Sequence, residues 1–259
     1  MATEVVPKVI VSRSLPQPQA LDNVGREGSP IRGGRYSEQY TLNLWNTKHL
    51  LADEGSAFVT TNPTPGTAVT YALQTSFSDT AAFMVIKNND IGTTAGKRIY
   101  LDALKLILTG TAPTGTVSME FAFKLDNINR LPTANSSTLT PINVNMDASV
   151  GTIAQVFCPN AGAPTVPASS ASARLVGRSH ISTSLGITGD EYNLQFGATD
   201  IQSGIPGTTA ARSTGVARIN GDAPAIVIGP QQFCVIYMWW LTAATTAPSF
   251  EFQLTHFER

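Results

Sequence analysis

Residues 233–241 read FCVIYMWWL, an apolar run in which β-branched and aromatic side chains predominate. A run without polar alternation is typical of a strand that is buried on both faces. At about 3.3 Å per residue, a strand of this length spans roughly 30 Å, which is enough to cross a sheet. We therefore expect a central strand here, with the rest of the fold arranged around it.

The last segment of the chain, SFEFQLTHF at residues 249–257, has a different character. Apolar and polar residues alternate along it, which predicts a half-buried strand, and we expect it to pair with residues 233–241 as a terminal hairpin. A membrane span is the competing interpretation, because no charged residue lies between Asp222 and Glu251. Since a span needs about 20 consecutive apolar residues, and Gly, Pro, Gln and Thr flank this run, the sequence favours a strand.

The composition limits the classes of protein to which the chain can belong. Of its 259 residues 14% are charged, 21 are glycine and 16 are proline, and the formal net charge is −1. A net charge this small gives no field to attract nucleic acid or an anionic membrane. The first residues lack the basic segment and the apolar run of a signal peptide, so we expect the chain to be made and folded in a cytoplasm.

The remaining strands are predicted from alternation between turn signals. Residues 98–108 and 116–125 are expected to form a second hairpin, 127–141 a polar loop, and 159–173 a surface excursion. A helical turn is expected at residues 46–53, and further strands at 36–44, 69–77, 82–86, 152–158, 173–185, 191–196 and 216–219. About ten to twelve strands without a long helix predict an all-β fold, a β-sandwich of the jelly-roll type with long loops.

Residues 1–34 differ from the rest and are predicted to be an extended N-terminal arm, with residues 35–259 as a single β-sandwich domain. The arm is rich in Pro and Gly and has no helical period, which suits both a flexible terminus and an arm that orders against a neighbouring subunit. Its apolar segment favours docking, because a terminal strand can add to a neighbour's sheet edge. That segment contains Val5, Val6, Val9, Ile10 and Val11.

The sequence contains no set of residues with the spacing of a catalytic or metal site. His49, His180 and His256 are isolated from other metal-ligand types, and His256 is expected to be a hydrogen-bonded histidine at the rim of the core. Asp190 and Glu191 form an acidic pair after a glycine, for which we expect a solvated turn. We therefore predict no enzyme activity, no cofactor, and no catalytic, cofactor-binding or metal-ligating residue.

Two other patterns resemble sites without completing them. Residues 92–98, GTTAGKR, resemble a phosphate-binding loop, but the glycines are one residue too close, Arg98 replaces the metal-binding Ser or Thr, and a strand follows instead of a helix. Cys234 is expected to be a small core residue, and whether it pairs with Cys158 is left open. The basic residues of the arm are too sparse for packaging nucleic acid.

Five short segments carry a resemblance to a known class of protein. They are GRY at 34–36, KHLLADEG at 48–55, NPTPG at 62–66, GPQQ at 229–232 and FER at 257–259. With these segments the chain resembles structural proteins encoded in the genomes of tailed bacteriophages, over most of its length from about residue 33. The resemblance implies a virion component made in the host cytoplasm, and it implies nothing catalytic.

The resemblance and the composition together lead to one preferred function and two alternatives. Low charge, small polar residues and an arm suit a β-module in a symmetric assembly. We expect a capsid-associated decoration or minor capsid protein that self-associates as a homotrimer and contacts other virion proteins, such as a major capsid protein. The alternatives are a receptor- or glycan-binding module of a tail or spike, and a jelly-roll coat protein. None of them requires direct contact with nucleic acid or a membrane.

Overall fold

A computed structural model of the chain describes residues 47–62, 64–72, 74–92, 96–110, 117–183, 186–197, 218–241 and 249–259. These residues are nearly all β, with 51% in strands and 4% in helix, which confirms the predicted all-β sandwich. Lys48–Arg259 form one compact unit. The predicted arm and the strand expected at 36–44 lie outside the described residues. No helix in the described ranges is long and apolar enough to cross a membrane.

The described residues form one short helix and fourteen strands. Helix α1 and the strands, in chain order, are α1 (Thr47–Asp53), β1 (Ala57–Thr61), β2 (Val69–Thr70), β3 (Met84–Asn88), β4 (Ile99–Leu108), β5 (Val117–Asp126), β6 (Ser136–Leu139), β7 (Ile142–Asn143), β8 (Ala154–Pro159), β9 (Arg174–Thr183), β10 (Glu191–Phe196), β11 (Arg218–Ala223), β12 (Val227–Ile228), β13 (Phe233–Trp240) and β14 (Ser249–Glu258).

The strands are arranged in two sheets that pack face to face. The larger sheet has the order β11-β10-β4-β14-β1-β7, with β12 paired to β4 and β2 paired to β14. The smaller sheet has the order β6-β8-β3-β13-β5-β9. Strands β10 and β11 run parallel, while the long central strands β4, β5, β13 and β14 pair antiparallel with their neighbours. Apolar side chains from both sheets form one continuous core between them.

Strand β13 occupies the centre of the smaller sheet, as the sequence predicts. It pairs with β3 and β5, and all eight of its residues are buried. Ile236 and every second residue face the core between the sheets, whereas Tyr237 and its alternates face a second apolar cluster on the outer surface of the sheet. Burial on both faces is therefore confirmed, except that Leu241 lies beyond the strand and is 55% exposed.

Both predicted hairpins are wrong. Strands β4 and β5 belong to opposite sheets, and so do β13 and β14. Alternation of apolar and polar residues determines which side chains of a strand face the core. The alternation pattern is the same whether the next strand in the chain pairs with the first in one sheet or lies in the facing sheet. In this protein the chain crosses at both places, so the successive strands pack across the core instead of sharing hydrogen bonds.

Three predicted loops and strands also differ from the structure. The excursion at 159–173 is not wholly on the surface, because Ala163 is buried in the core between the sheets and Val166 is buried against the outer face of the smaller sheet. The loop at 127–141 contains β6, which pairs with β8. The strand expected at 69–77 is reduced to β2, and Phe77 is 42% exposed.

Candidate functional site

Among the described residues, the largest connected group of ionisable side chains lies on the outer face of the smaller sheet, beneath residues 127–134 and 160–172, which we name the covering segments. This group, the outer polar cluster, consists of Asp79, Lys124, Asp126, Arg130 and Tyr237. Strands β5 and β13 supply Lys124, Asp126 and Tyr237, because alternation along each strand turns these positions away from the core. The turn before β3 supplies Asp79, and a covering segment supplies Arg130.

Arg130 is the centre of the outer polar cluster and is completely buried. Its Nη2 donates to the Tyr237 hydroxyl at 2.6 Å and to the backbone carbonyl of Asp79 at 2.9 Å. Its Nη1 lies 3.5 Å from the Asp126 carboxylate and 3.7 Å from that of Asp79. A buried guanidinium requires such partners, because an unpaired charge in this position would cost several kcal/mol.

The two carboxylates of the cluster are held by several donors each. Asp79 accepts from the Lys124 ammonium at 2.7 Å and from the Ser169 amide at 2.6 Å, and Asp126 accepts from the Ser170 hydroxyl at 2.7 Å and its amide at 3.0 Å. Burial alone would raise both pKa values. The hydrogen bonds and the Arg130 charge outweigh it, so the pKa of each carboxyl is lowered from its ordinary value.

This arrangement joins parts of the chain that are distant in sequence. Asp79 connects the turn before β3 with Ser169, and Asp126 connects the end of β5 with Ser170. Burial, with the Asp79 charge contributing, raises the pKa of Tyr237, so the phenol stays protonated and donates to Asp79. The carboxylate oxygens of Asp79 and Asp126 already accept hydrogen bonds from the protein. The role that the cluster supports best is therefore structural: it holds the covering segments against β5 and β13.

A pocket of about 320 Å³ opens at the other sheet, near the chain's last residues. Its lining contains both signs of charge, with Glu54 and Arg259 paired at 2.7 Å across exposed surface and Lys97 nearby. Phe58 supplies an apolar wall. The lining residues are Glu54, Gly55, Ser56, Phe58, Lys97, Val150, Glu258 and Arg259.

Glu258 connects this pocket to a buried histidine. Its Oε1 accepts from the Thr152 hydroxyl at 2.5 Å and lies 3.2 Å from His256 Nε2, and its carboxylate also accepts from the Ile153 amide. Burial opposes ionisation, but the bonds from His256, Thr152 and Ile153 outweigh it and lower the pKa of Glu258. His256 stacks on Phe58 with 5.6 Å between ring centroids. Glu258 therefore ties the end of β14 to the start of β8, which belongs to the facing sheet.

The three histidines lie on three different elements of the fold. His49 is exposed on α1, and His180 is exposed on β9 with its Nε2 2.9 Å from the Ser118 hydroxyl. His256 is hydrogen-bonded as expected, but it is fully buried and not at the rim. Within the described ranges, no three His, Cys, Asp or Glu side chains are grouped so that they could hold a metal ion.

The predicted solvated turn at the acidic pair is wrong for both of its members. Asp190 is fully buried and accepts from the Ile187 amide at 2.9 Å. Glu191 begins β10 and pairs with Lys105 and Arg218, whose hydrogen bonds lower its pKa. The alternation of inward and outward side chains along β10 extends back to Asp190 and places its side chain inward. Because aspartate is polar, the sequence alone suggests an exposed position instead.

The loop and thiol patterns are accounted for by local structure. Asp90 accepts from the backbone amides of Gly92 and Lys97, and β4 follows, so the described part of residues 92–98 is a turn before a strand. Cys158 and Cys234 are free and buried, and burial raises their thiol pKa values to about 11 and about 12. Both cysteines are therefore unreactive core residues.

No protein-family model, no curated protein and no solved structure matches the chain. The outer polar cluster is a feature that the sequence reasoning missed. Its one available signal is Arg130, an isolated cation in a chain with few charges and within a stretch interpreted as a polar loop. The residues that contact Arg130 lie up to 107 positions away from it in sequence, so no local spacing pattern predicts these contacts.

Proposed function

We propose that the chain is a structural protein of a virion, a capsid-associated decoration or minor capsid protein that self-associates as a homotrimer and contacts other virion proteins. It is made in the host cytoplasm and resides in the particle. No catalytic step and no cofactor form part of this proposal. The outer polar cluster has a structural role in it, because its charged groups bind one another and the covering segments.

The order of the strands is the observation that carries the proposal. The larger sheet contains the order β1-β14-β4-β10, and the smaller sheet contains the order β3-β13-β5-β9. Taken along the chain, these eight strands lie in the larger and smaller sheets alternately, apart from β5 and β9, which are both in the smaller. This order supports the finer assignment of a jelly roll, an architecture used by viral capsid and lectin domains. Because a fold alone does not assign a function, the resemblance to phage structural proteins supplies the choice between them.

Imaging of particles tests this function directly. We expect cryo-electron microscopy of particles from the source of the chain to contain density that fits Lys48–Arg259 in symmetric, countable copies on the head. A chain that is absent from purified particles would contradict the proposal. Density on a tail or spike would instead support the receptor- or glycan-binding alternative.

The predicted N-terminal arm gives a second test. Deleting residues 1–33 should leave a folded body, because the two sheets and their core lie in later residues. Self-association or attachment to particles should weaken, since the arm is proposed to add to a neighbour's sheet. Light scattering and particle-binding assays on both chains measure these effects, and equal behaviour of the two chains would remove the arm from the proposal.

A further inference from the structure

In residues 142–150, which we name the edge segment, the apolar side chains point to solvent and the polar ones face the protein. This is the reverse of the usual arrangement in a half-buried strand. Ile142, Val144 and Met146 point outward, with 67%, 47% and 99% of their surface exposed. Val150 follows at 40%. The described part of the chain has ten exposed large hydrophobic residues, and four of them fall within these nine positions. Singly scattered apolar residues are normal on a surface, so it is their clustering here that makes the edge segment a candidate contact surface.

The polar residues of the edge segment face the protein and hold it in place. Asn143 donates from Nδ2 to the carbonyl of Gly55 at 2.8 Å, and Asn145 donates from Nδ2 to the carbonyl of Asp53 at 3.1 Å. The packing is also close, because a Cβ atom on Gly55 would lie 2.7 Å from that of Ala148. The outward direction of the apolar side chains is therefore built into the fold.

Within the part of the chain that the structure describes, the edge segment also contains a strand edge without a pairing partner. Strand β7 pairs with β1 on one side, and the Val144 amide donates to the Ala57 carbonyl at 3.1 Å. On its other side β7 is the last strand of the larger sheet in the described residues. Unpaired edges beside apolar side chains favour association with another chain.

We propose that the edge segment is a contact surface for the same segment of a second copy, related to the first by a twofold axis close to Val144. The three outward side chains are placed symmetrically about that residue. The segment has one charged residue, Asp147, and a twofold at Val144 keeps the two copies of Asp147 on opposite sides of the axis. A centre without charge is typical of an interface, and twofold contacts are the commonest kind between identical chains.

The exposed area indicates how strong this contact is. If each fully exposed aliphatic side chain presents on the order of 100 Å² of apolar surface, the four residues present about 250 Å² per copy. A standard interface buries about 800 Å² per partner, a little over half of it apolar. The contact is therefore weak between two isolated copies and gains strength when many copies repeat it. It deepens the self-association in the proposed function, and it is compatible with trimers because it joins copies from different trimers.

A cysteine cross-link tests the geometry. Because the native cysteines Cys158 and Cys234 are buried, Val144→Cys gives a chain with one accessible thiol among the described residues. Mild oxidation should convert it to a covalent dimer, since the axis brings position 144 close to its copy. The control is Leu175→Cys, a position of comparable exposure on another strand, which should stay uncross-linked. Failure of Val144→Cys to form the dimer, or equal dimer from both variants, would overturn the proposal.

Matched triple variants test the energetics. The edge variant replaces Ile142, Val144 and Met146 by Thr, and the control variant replaces the exposed Ile91, Leu175 and Leu241 by Thr. By light scattering over a concentration series, the edge variant should require about tenfold more protein than wild type to reach the same average mass, while the control follows wild type. Unfolding curves establish that both variants fold. An edge variant that associates like wild type would overturn the proposal.

The remaining outcomes separate this contact from other partners and from the virion role. If the edge variant associates normally but loses attachment to particles, the segment binds a different virion protein and the proposal is wrong. If self-association depends on residues 1–33 and Val144→Cys gives no dimer, the arm occupies the edge and the proposal is again wrong. A cross-linked dimer from a chain that is absent from particles would support the contact and contradict the virion function.

Discussion

The two faces of strand β13 are equally buried, but different partners cover them. On the inner face, Ile236 and its alternates pack against side chains of the larger sheet. On the outer face, Val235 and Tyr237 pack beneath the covering segments, which contribute Val166 and Leu131. A second sheet encloses one face, whereas on the other the paired charges of the outer polar cluster hold loops in place. One apolar strand can therefore be buried in two ways, by a facing sheet on one side and by loops that paired charges hold in place on the other.

The largest expected effect comes from removing the central cation of the outer face. Arg130→Leu leaves the carboxylates of Asp79 and Asp126 without their guanidinium partner, and breaking a buried pair in this way costs about 3–5 kcal/mol. Urea unfolding measures the loss. Arg178→Leu is the control, because Arg178 pairs with Glu120 at the surface with 59% of its side chain exposed, so its loss should cost about 1 kcal/mol or less.

Equal losses in the two arginine variants would contradict this interpretation of the outer face. In that case the covering segments would be held by apolar contacts alone, and the two faces of β13 would not differ. A further sign of a specific effect is the pattern of proteolysis. Loosened covering segments should be cut first in Arg130→Leu, while β13 itself stays protected.

A slightly smaller loss is expected on the inner face. Ile236→Ala removes a completely buried side chain from the core between the sheets and should cost about 2–5 kcal/mol through lost burial and a cavity. Leu241→Ala, which is at an exposed position just beyond the strand, should change the free energy of unfolding by less than about 0.5 kcal/mol. A change under about 0.5 kcal/mol for Ile236→Ala would mean that the inner face is not the main core.

The sequence predicts β13 well and its partners poorly, for a physical reason. Eight consecutive apolar residues require burial on both sides, and this requirement is local. Pairing is not local, since β13 shares hydrogen bonds with β3 and β5, which lie far back in the chain, and not with β14. The predicted terminal hairpin was wrong because alternation in residues 249–257 is satisfied equally well on the facing sheet.

The outer polar cluster and the edge segment also could not be predicted from local sequence patterns, each for a different reason. The outer polar cluster depends on Arg130 meeting Asp79 and Tyr237 across long separations, so the sequence gives no spacing from which to predict it. In the edge segment the alternation INVNMD at 142–147 is plainly visible in the sequence. Alternation alone would place its apolar residues inward. Only the bonds from Asn143 and Asn145 to backbone carbonyls establish that the polar side is the inner one.

The smallest expected effect is a difference in pH dependence between the two faces of β13. The pKa values of Asp79 and Asp126 are lowered in the folded protein, so their contribution to stability is present above the unfolded carboxyl pKa of about 3.9 and is lost as the pH falls towards the folded values. Unfolding free energy measured between pH 6 and pH 2.5 should therefore fall with acid. In Asp126→Asn it should start lower and fall less steeply, because one of the shifted groups is gone. Ile236→Ala should lose stability by the same amount at every pH, since the residue is apolar. If Asp126→Asn instead parallels wild type over this range, the ionic account of the outer face is wrong.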